Sequence, residues 1–410
     1  MSTEMSVSDA TAAGGAGAGA GGLSPIENFD DGVKKYTTFD EMDIPMHILR
    51  GIYNYGYEKP SPIQQKGIVP MVKGHDIIGH AQSGTGKTGT FVIGSISHVD
   101  ISKNQVQVLV LEPVRELARQ TARVASKIGE FMGLKVHCAT GGPPVIDDIR
   151  QIEKGIHFLV GTPGRIYDLL DRKVFNPKDI KVIILDEADQ MLEARFKEQV
   201  LSILNMGFSK SVLVGLFSAT MPDGIREIAD SMCIDPVKIL LPPEKVTLEG
   251  IRQYYIKFDD DKQKLGTLID LYENLRITQA IIYVRTRIRA EWLAEQMKAL
   301  KFKIECIHGD MSDGERNERM ECFITGSSRI LIATDMLARG IDIQQISTVI
   351  NYELPDDREN YIHRIGRTGR FGRKGVSINL ITNREAAQQK EIEVHYKTTI
   401  MELPCDLKSI

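Results

Sequence analysis

The sequence predicts an α/β protein made of two tandem units, each a parallel sheet flanked by helices, that face one another across a cleft. Short runs of apolar and β-branched residues recur along the chain, with amphipathic helical stretches between them. Continuous apolar strands that alternate with helices are typical of buried parallel sheets. A segment with two prolines and a glycine at 240–250 interrupts this alternation, which then resumes. The 410 residues also exceed what a single ordinary core contains.

Each predicted strand follows from one of these runs. We expect strands at 106–111, 157–160, 181–185 and 212–217 in the first unit, and at 254–258, 280–284, 303–307, 329–333, 347–351 and 376–381 in the second. The expected organisation is a disordered glycine- and alanine-rich tail (1–35), a first domain (36–241), a linker (242–250) and a second domain (251–410). Ligands of such sheets bind at the carboxyl ends of the strands.

Composition narrows the class of protein. The formal net charge is −4, so any nucleic-acid surface must be a local stripe. Five scattered cysteines with no CxxC pair indicate free thiols in a reducing compartment, not a zinc site or a disulfide framework. No apolar run is long enough for a membrane span, and the first basic residue is Lys34, so the start lacks the positive flank of a secretory signal. We therefore expect a soluble cytoplasmic protein.

The stretch "AQSGTGKT" has the residues of a phosphate-binding loop. It follows the apolar run "DIIGH" and precedes a helical run, and its members are Ala81, Gln82, Ser83, Gly84, Thr85, Gly86, Lys87 and Thr88. Glycines let backbone N–H groups wrap a phosphate at a helix N-terminus. Lys87 is expected to reach the β- and γ-phosphates, and the Thr88 hydroxyl to ligate Mg²⁺. The general pattern has glycine in place of Ala81, and the plainer alternative is a glycine-rich turn that caps a helix.

The segment "VIILDEADQM" (182–191) supplies the acids that a nucleotide site needs. A buried apolar strand ends in Asp186 and Glu187. Asp186 is expected to hold Mg²⁺, through water because Mg²⁺ loses its waters reluctantly. Glu187 is expected to orient or deprotonate the attacking water. The alternative is an acidic cap for the next helix, which the upstream phosphate loop makes the weaker interpretation.

Taken together, these motifs resemble those of the DEAD-box RNA helicases of helicase superfamily two, over roughly 39–400. Further stretches that carry the resemblance are "GYEKPSPIQQ", "LEGIRQYYI", "MLARGIDIQQ" and "RENYIHRIGRTGRFGRKG". The resemblance implies two RecA-like domains and RNA-stimulated ATP hydrolysis with Mg²⁺. It also implies that Gln64 reads adenine, that Tyr57 stacks on the base with Phe39 upstream, and that Asp342 contacts the ribose. A carboxamide suits the donor and acceptor pair at adenine N6 and N7.

RNA-facing and coupling residues are carried over from the family's motifs in the same way. The resemblance assigns RNA contacts to Pro113, Arg115, Gly141, Gly142, Thr162, Gly164 and Arg165 in the first domain, and to Arg285, Thr286, Gly309, Asp310 and Thr334 in the second. It assigns the coupling of hydrolysis to unwinding to Asp189, Ser218, Thr220 and His363. Contacts of this kind to the sugar–phosphate backbone carry no sequence information.

The chain departs from the family pattern at five of these motif positions. Val114 stands where the family usually has Thr, and Pro143 follows the glycine pair where Thr is usual, so two hydroxyls and one amide donor are lost. Glu112 replaces a common Ala and adds negative charge, while Arg285 and Asp313 replace a polar residue and a Gln. We expect RNA binding that is weakened but retained, with Arg285 restoring a phosphate contact.

The stretch "HRIGRTGRFGRK" (363–374) is the most basic in the chain. By itself it fits a nucleic-acid patch, a solvated helix end, or cations that reach an anion held by the other domain. The resemblance favours the third reading for Arg367 and Arg370, as arginine fingers for the γ-phosphate. A planar bidentate cation suits the spread charge of phosphoryl transfer. The expected catalytic set is therefore Lys87, Glu187, Arg367 and Arg370.

The expected function is that of an ATP-dependent RNA helicase. A role in translation initiation is expected because the resemblance is strongest to family members that act there. It implies single-stranded and short duplex mRNA as sequence-independent ligands, a scaffold subunit and accessory RNA-binding stimulators as partners, and a monomer outside that complex. The main alternative is an ATP-gated RNA clamp of a splicing-linked complex with little unwinding. A degenerate nucleotide-binding scaffold is a weaker alternative, since Lys87, Glu187 and Arg367 are intact. A DNA-remodelling motor is also weaker, since such motors usually carry large insertions that a chain of this length lacks.

Overall fold

The structure is a computed structural model and describes residues 33–81, 84–192, 196–220, 223–240, 251–275, 277–335, 346–368 and 375–404. Nearly all of the expected tail and the whole of the expected linker lie outside these ranges. Among the described residues, no helix is both long enough and apolar enough to cross a membrane.

The first unit is built on a parallel sheet with strand order β3-β4-β2-β5-β6-β1-β7. Its strands are β1 (Ile77–His80), β2 (Val108–Leu111), β3 (Val136–Ala139), β4 (Phe158–Gly161), β5 (Val182–Leu185), β6 (Leu213–Ser218) and β7 (Val237–Leu240). Its helices are α1 (Met46–Tyr55), α2 (Pro62–Val72), α3 (Lys87–Ile96), α4 (Arg115–Ile128), α5 (Val145–Glu153), α6 (Pro163–Asp171), α7 (Ala188–Met191), α8 (Lys197–Leu204) and α9 (Asp223–Met232).

The second unit repeats this plan with strand order β10-β11-β9-β12-β13-β8-β14, again parallel. Its strands are β8 (Ile251–Phe258), β9 (Ala280–Tyr283), β10 (Ile304–Ile307), β11 (Ile330–Ala333), β12 (Thr348–Asn351), β13 (Gly375–Thr382) and β14 (Met401–Glu402). Its helices are α10 (Gln263–Asn274), α11 (Arg287–Ala299), α12 (Asp313–Ile324), α13 (Arg358–Ile365) and α14 (Ala386–Tyr396). The predicted α/β class with two helix-flanked parallel sheets is confirmed.

All ten predicted strands are present, with ends that shift by a few residues. Sequence reasoning missed the edge strands β3, β7 and β14, and it identified β1 only as the apolar run "DIIGH" before the phosphate loop. Strand β3 reads "VHCA" and is only partly buried, and β14 has two residues. Edge strands need no continuous apolar run because one side meets solvent, so their sequences carry a weaker signal.

The register of the central strands decides which side chains meet at the carboxyl edge of the first sheet. Strands β2 and β5 pair so that Leu111 lies beside Leu185. Side chains alternate between faces, and Val110 and Ile184 pack in the core on the same face as helix α3. Residues 112 and 186, one step past each strand, therefore project from that same face, next to the start of α3.

Candidate functional site

The phosphate-binding loop lies where strand β1 gives way to helix α3. The Ala81 amide donates to the Ser218 carbonyl at 3.0 Å, which fixes the end of β1 beside β6. Gly84 and Gly86 have φ values of 85° and 103°, which L side chains rarely adopt, and a Cβ at Gly86 would lie 2.3 Å from the Ser61 hydroxyl. Helix α3 begins at Lys87, so its N-terminal amides face the loop. Gln82 and Ser83 lie outside the described residues.

Lys87 is the buried cation of this loop. Its ammonium lies 3.1 Å from Glu187 Oε1 and 3.7 Å from Asp186 Oδ1, and the side chain is only 4% exposed. Burial alone would lower the pKa of Lys87, but the two carboxylates outweigh it and raise that pKa. The structure thus brings together the lysine and both acids that the motifs predict.

The two acids follow strand β5 at the carboxyl edge of the sheet. Burial, reinforced by Glu187 and opposed by Lys87, raises the pKa of Asp186 to about 7. Glu187 has a left-handed backbone with a φ of 47°, an uncommon conformation for a residue with a side chain. Its amide donates to Asp186 Oδ1 at 2.9 Å. This turn places both carboxylates toward Lys87.

The oxygen donors at this edge fit a hard divalent cation. The Asp186 carboxylate is buried and the Thr88 hydroxyl is half-buried at the start of α3. Mg²⁺ prefers oxygen ligands and keeps several waters. Within the described part of the chain, no three His, Cys, Asp or Glu side chains are arranged to ligate an ion directly. That arrangement fits an ion held by few protein ligands and its own water.

The predicted adenine-reading residues pack against the first turn of α3. Gln64 Oε1 accepts from the Ser61 amide at 2.8 Å, and its Nε2 donates to the Gly86 carbonyl at 3.3 Å. Tyr57 is half-buried and stacks with Phe39 at 6.4 Å between ring centroids. Phe39 is completely buried in the core. It therefore supports Tyr57 from behind, which refines the expectation that Phe39 itself lines the nucleotide site.

The coupling residues of the first unit form one hydrogen-bonded group. The Asp189 amide donates to Ser218 Oγ at 3.2 Å, and Thr220 Oγ1 donates to Asp189 Oδ2 at 2.8 Å. Helix α7, which follows Asp186 and Glu187, is thereby tied to the end of strand β6. His363 lies in the last turn of α13 and is buried.

The described part of the basic stretch, residues 363–368, is buried in the second unit. Arg364 is fully buried and donates to the Glu353 carbonyl at 2.6 Å and to Asn351 at 3.2 Å, and it also pairs with Asp335. Arg367 is buried as well, and its Nε donates to the His363 carbonyl at 3.0 Å. These contacts exclude a solvated helix end for this part of the stretch. Arg370 and Asp342 lie outside the described residues.

The predicted RNA motifs of the first unit follow three adjacent strands. Residues 113–115 follow β2, the glycine pair follows β3, and Thr162 follows β4 at the N-cap position of helix α6. The Arg115 guanidinium lies 3.1 Å from where a Cβ of Gly141 would be, so glycine makes room for it. Gly142 and Gly164 are exposed. One edge of the sheet therefore carries all three motifs.

Arg165 is bound within the first unit. It pairs with buried Asp148, which also lies 2.7 Å from His137, and it donates to the Pro143 carbonyl at 2.6 Å. Its guanidinium is therefore fixed at the edge where the RNA motifs meet.

The corresponding motifs of the second unit also follow neighbouring strands. Thr286 caps helix α11 after β9 and accepts from the Arg289 amide at 3.2 Å. Gly309 and Asp310 follow β10 and are exposed, with Asp310 paired to Arg287, while Thr334 follows β11. The three strands lie side by side in the sheet.

Arg285 differs from the expected phosphate contact. Its Nε donates to the Leu354 carbonyl at 2.6 Å, and its guanidinium lies 3.4 Å from both Glu385 and Asp356. These bonds hold the side chain against its own unit. A compensating RNA contact from Arg285 would require these bonds to break, so the structure does not favour it.

Two contacts join the RNA-motif edges of the units. Arg316 Nη1 donates to Glu116 Oε1 at 2.9 Å, with both side chains mostly buried, and Arg119 donates to Asn317. Helix α4 of the first unit thereby meets helix α12 of the second. Burial and the nearby Arg316 lower the pKa of Arg115. Several arginines are concentrated at this junction.

Glu112 corrects one sequence-based expectation. We expected its charge to weaken RNA binding, but its side chain is completely buried on the nucleotide side of the sheet. Thr121 Oγ1 donates to Glu112 Oε1 at 2.6 Å. Burial, then the charge of Asp186, raises the pKa of Glu112 well above its usual range. The alternation Val108, Val110, Glu112 could have revealed this orientation, because these side chains share one face.

Comparison with known proteins matches two family models to two successive stretches of the chain. The DEAD/DEAH box helicase family model matches residues 61–228, and the helicase conserved C-terminal domain model matches residues 263–372. The chain is 49% identical to eukaryotic initiation factor 4A of Drosophila melanogaster, covering 92% of this chain and 93% of that protein. It is 48% identical to the ATP-dependent RNA helicase eIF4A of Pyricularia oryzae, covering 93% and 96%.

Solved structures of related proteins show the same fold. Saccharomyces cerevisiae Dbp5 bound to RNA and ADP BeF3 aligns with a TM-score of 0.82 at 32% identity, covering 91% of this chain and 97% of that one. A DEAD box protein from Methanococcus jannaschii aligns with a TM-score of 0.55 at 36% identity, covering 90% and 100%. Both proteins share the fold of this chain, and the yeast protein aligns with the higher TM-score.

Proposed function

This chain belongs to the DEAD-box family of ATP-dependent RNA helicases, and we propose that it acts in translation initiation, where RNA-stimulated ATP hydrolysis drives domain closure and local unwinding of mRNA secondary structure. One observation carries the enzymatic part. Buried Lys87 at the start of α3 lies against Asp186 and Glu187, which is the charge arrangement that phosphoryl transfer from ATP needs. Identity of 49% along nearly the whole chain supports the role in initiation.

The first unit supplies most of the nucleotide site in this proposal. Backbone amides of residues 81–88 and the Lys87 ammonium bind the phosphates, while Gln64 and Tyr57 bind adenine. Thr88 and Asp186 would hold Mg²⁺, which neutralises charge on the β- and γ-phosphates when bound. Glu187 orients the attacking water and accepts its proton. Positioning and charge neutralisation, not covalent chemistry, account for the rate in this scheme.

The second unit completes the site only when the cleft closes. Arg367 and Arg370 contact the γ-phosphate, and Asp342 contacts the ribose. His363 then joins the group of Asp189, Ser218 and Thr220, so that phosphate release is sensed by the residues that tie α7 to β6. Arginine fingers in related chemistry contribute about 10³–10⁵ in rate.

RNA binds across the two motif edges in this proposal. Contacts to the sugar–phosphate backbone give little sequence preference and strong salt dependence. Because each unit holds part of the RNA and part of the nucleotide, the two ligands favour the same closed arrangement by differential affinity. The bend imposed on one strand separates a short duplex, and hydrolysis reopens the cleft.

The proposal extends to partners and location. Similarity to initiation factor 4A proteins supports a large initiation scaffold subunit and accessory RNA-binding stimulators as partners, in the cytoplasm. Outside such a complex we expect a monomer.

RNA-stimulated ATP hydrolysis tests this function. Purified chain should hydrolyse ATP faster when single-stranded RNA is added, and DNA of the same sequence should stimulate far less because the 2′-OH distinguishes the two. Glu187→Gln should bind ATP but lose turnover, which excludes a contaminating ATPase. Equal stimulation by RNA and DNA, or normal turnover in Glu187→Gln, contradicts the proposal.

A further inference from the structure

Glu112 lies beside the catalytic acids, although no role has been given to it above. Strands β2 and β5 are neighbours with Leu111 paired to Leu185, and the Asp186 amide donates to the Leu111 carbonyl at 3.2 Å. Neighbouring strands lie about 5 Å apart, and register partners project from the same face. The carboxyl groups of Glu112 and Asp186 therefore lie side by side at the start of α3.

Only one of the two carboxyl oxygens of Glu112 has a hydrogen-bond partner among the described residues. Thr121 Oγ1, from helix α4, donates to its Oε1 at 2.6 Å. Its other oxygen, Oε2, is buried and has no hydrogen-bond partner among the described residues. Native structures rarely leave a buried carboxylate oxygen without a partner, and such an atom is commonly completed by an ion or by ordered water.

The charged groups around Glu112 indicate whether an ion with its waters or water alone would bind its Oε2. Asp186, Glu187 and Lys87 are the charged groups that act on its carboxyl, and Lys87 is already in contact with both of the other acids. Three carboxyl groups thus share one ammonium in a buried place. A divalent cation with its waters supplies both missing charge and missing donors.

We propose that Glu112 is a positioning residue of the nucleotide site that accepts hydrogen bonds from the water shell of the divalent cation beside Asp186. It thereby lowers the Mg²⁺ concentration at which nucleotide binds. The inference rests on the proposed nucleotide site and adds one residue to it. Glu112 binds no metal directly, which agrees with the lack of a three-ligand cluster among the described residues. The usual Ala of the family at this position cannot make such a contact.

Titration of the full chain with fluorescent ADP over a series of Mg²⁺ concentrations tests the inference. Glu112→Gln keeps the shape and the acceptor for Thr121 but removes the charge. We expect it to raise the Mg²⁺ concentration for half-maximal ADP affinity by about tenfold, the usual loss for an outer-shell partner. ADP affinity in EDTA should be unchanged, because no cation is then present for Glu112 to act on. Glu130→Gln, the same change on an exposed residue of this unit, should leave the Mg²⁺ midpoint unchanged.

The titrations distinguish a role of Glu112 at the cation site from a role in core packing alone. A midpoint within twofold of wild type, or an equal loss of ADP affinity with Mg²⁺ and in EDTA, means that Glu112 only packs the core, and overturns the inference. Glu112→Ala serves as the second variant if Glu112→Gln does not fold. Wild-type chain that binds ADP without any dependence on Mg²⁺ instead contradicts the proposed nucleotide site itself, before the variants are compared.

Discussion

Gln64 joins two parts of the nucleotide site. Its Oε1 completes the capping box of α2 with Ser61, while its Nε2 donates to the Gly86 carbonyl in the phosphate loop. A Cβ at Gly89 would lie 2.4 Å from that same nitrogen, so glycine is required where α3 passes the carboxamide. One side chain therefore links the predicted adenine contact to the geometry of the phosphate loop.

Gln64→Glu should relax base selection while keeping the helix cap. The carboxylate still accepts from the Ser61 amide but has no N–H for adenine or for Gly86. We expect the preference for ATP over GTP to fall by roughly tenfold, since a bidentate pair contributes about 1–3 kcal/mol of discrimination. Competition of GTP against fluorescent ADP measures this. Unchanged competition counts against Gln64 as the adenine-reading residue.

Some site residues could be predicted from the sequence and others could not, for a physical reason. Lys87, Asp186 and Glu187 were predicted because each belongs to a short motif whose chemistry is local. The internal bonds of Arg285 and the full burial of Phe39 depend on which face of a sheet or helix a side chain occupies. That depends on pairing between distant segments, which a motif does not encode.

At the scale of elements, the start of helix α4 shows the consequence of a family departure. Val114 is the N-cap residue, with the extended backbone (φ −132°, ψ 153°) that such a position favours, but its side chain makes no capping hydrogen bond. Ser, Thr, Asp or Asn is preferred there because a side-chain oxygen accepts from a free helix amide. Helix α4 also carries Arg115, Glu116 and Thr121, so its stability bears on both ligand sites.

Val114→Thr should therefore stabilise the first unit and strengthen RNA binding. The hydroxyl supplies the missing cap, which contributes about 0.5–2 kcal/mol, and adds a donor at the RNA edge. We expect the urea midpoint of the first unit to rise, and RNA affinity with an ATP analogue to increase. Val114→Ala, which cannot cap, is the matched control. If the threonine and alanine variants unfold at the same urea concentration, a cap at position 114 does not contribute to the stability of the first unit.

The strands of the two sheets illustrate how far element prediction extends. Central strands such as β5 and β11 are apolar on both faces and are readily predicted from sequence. Strand β14 has only two residues, both exposed, and β7 is the four-residue segment "VKIL". Neither contains an apolar run long enough to be told from a loop by sequence. These strands form because a neighbouring strand supplies backbone hydrogen-bond partners, and not because of the propensity of their own side chains.

At the scale of the whole molecule, the contact between Glu116 and Arg316 joins the units on the RNA side. The chain as a whole aligns with the RNA-bound yeast protein with a TM-score of 0.82. A mostly buried pair of this kind leaves one charge uncompensated when its partner is removed. The pair therefore favours the closed arrangement, in which the RNA motifs of both units lie together.

Glu116→Gln should weaken closure without altering nucleotide binding to the first unit. We expect RNA affinity in the presence of an ATP analogue to fall by about 1–3 kcal/mol, because buried Arg316 loses its counter-charge on closing. Fluorescence anisotropy of labelled RNA measures this. ADP affinity without RNA should stay at the wild-type value, as should RNA affinity in Glu130→Gln. An unchanged RNA affinity in Glu116→Gln means that the contact does not stabilise the closed form.

Separation of a short RNA duplex present in excess over protein tests the central claim most directly. We predict that wild-type chain separates many duplexes per protein when ATP and Mg²⁺ are supplied and none without ATP. Glu187→Gln and Arg367→Ala should bind RNA with ATP yet fail to turn over. A wild-type chain that retains RNA in the presence of ATP while the duplexes stay intact would contradict the helicase and identify an ATP-gated clamp.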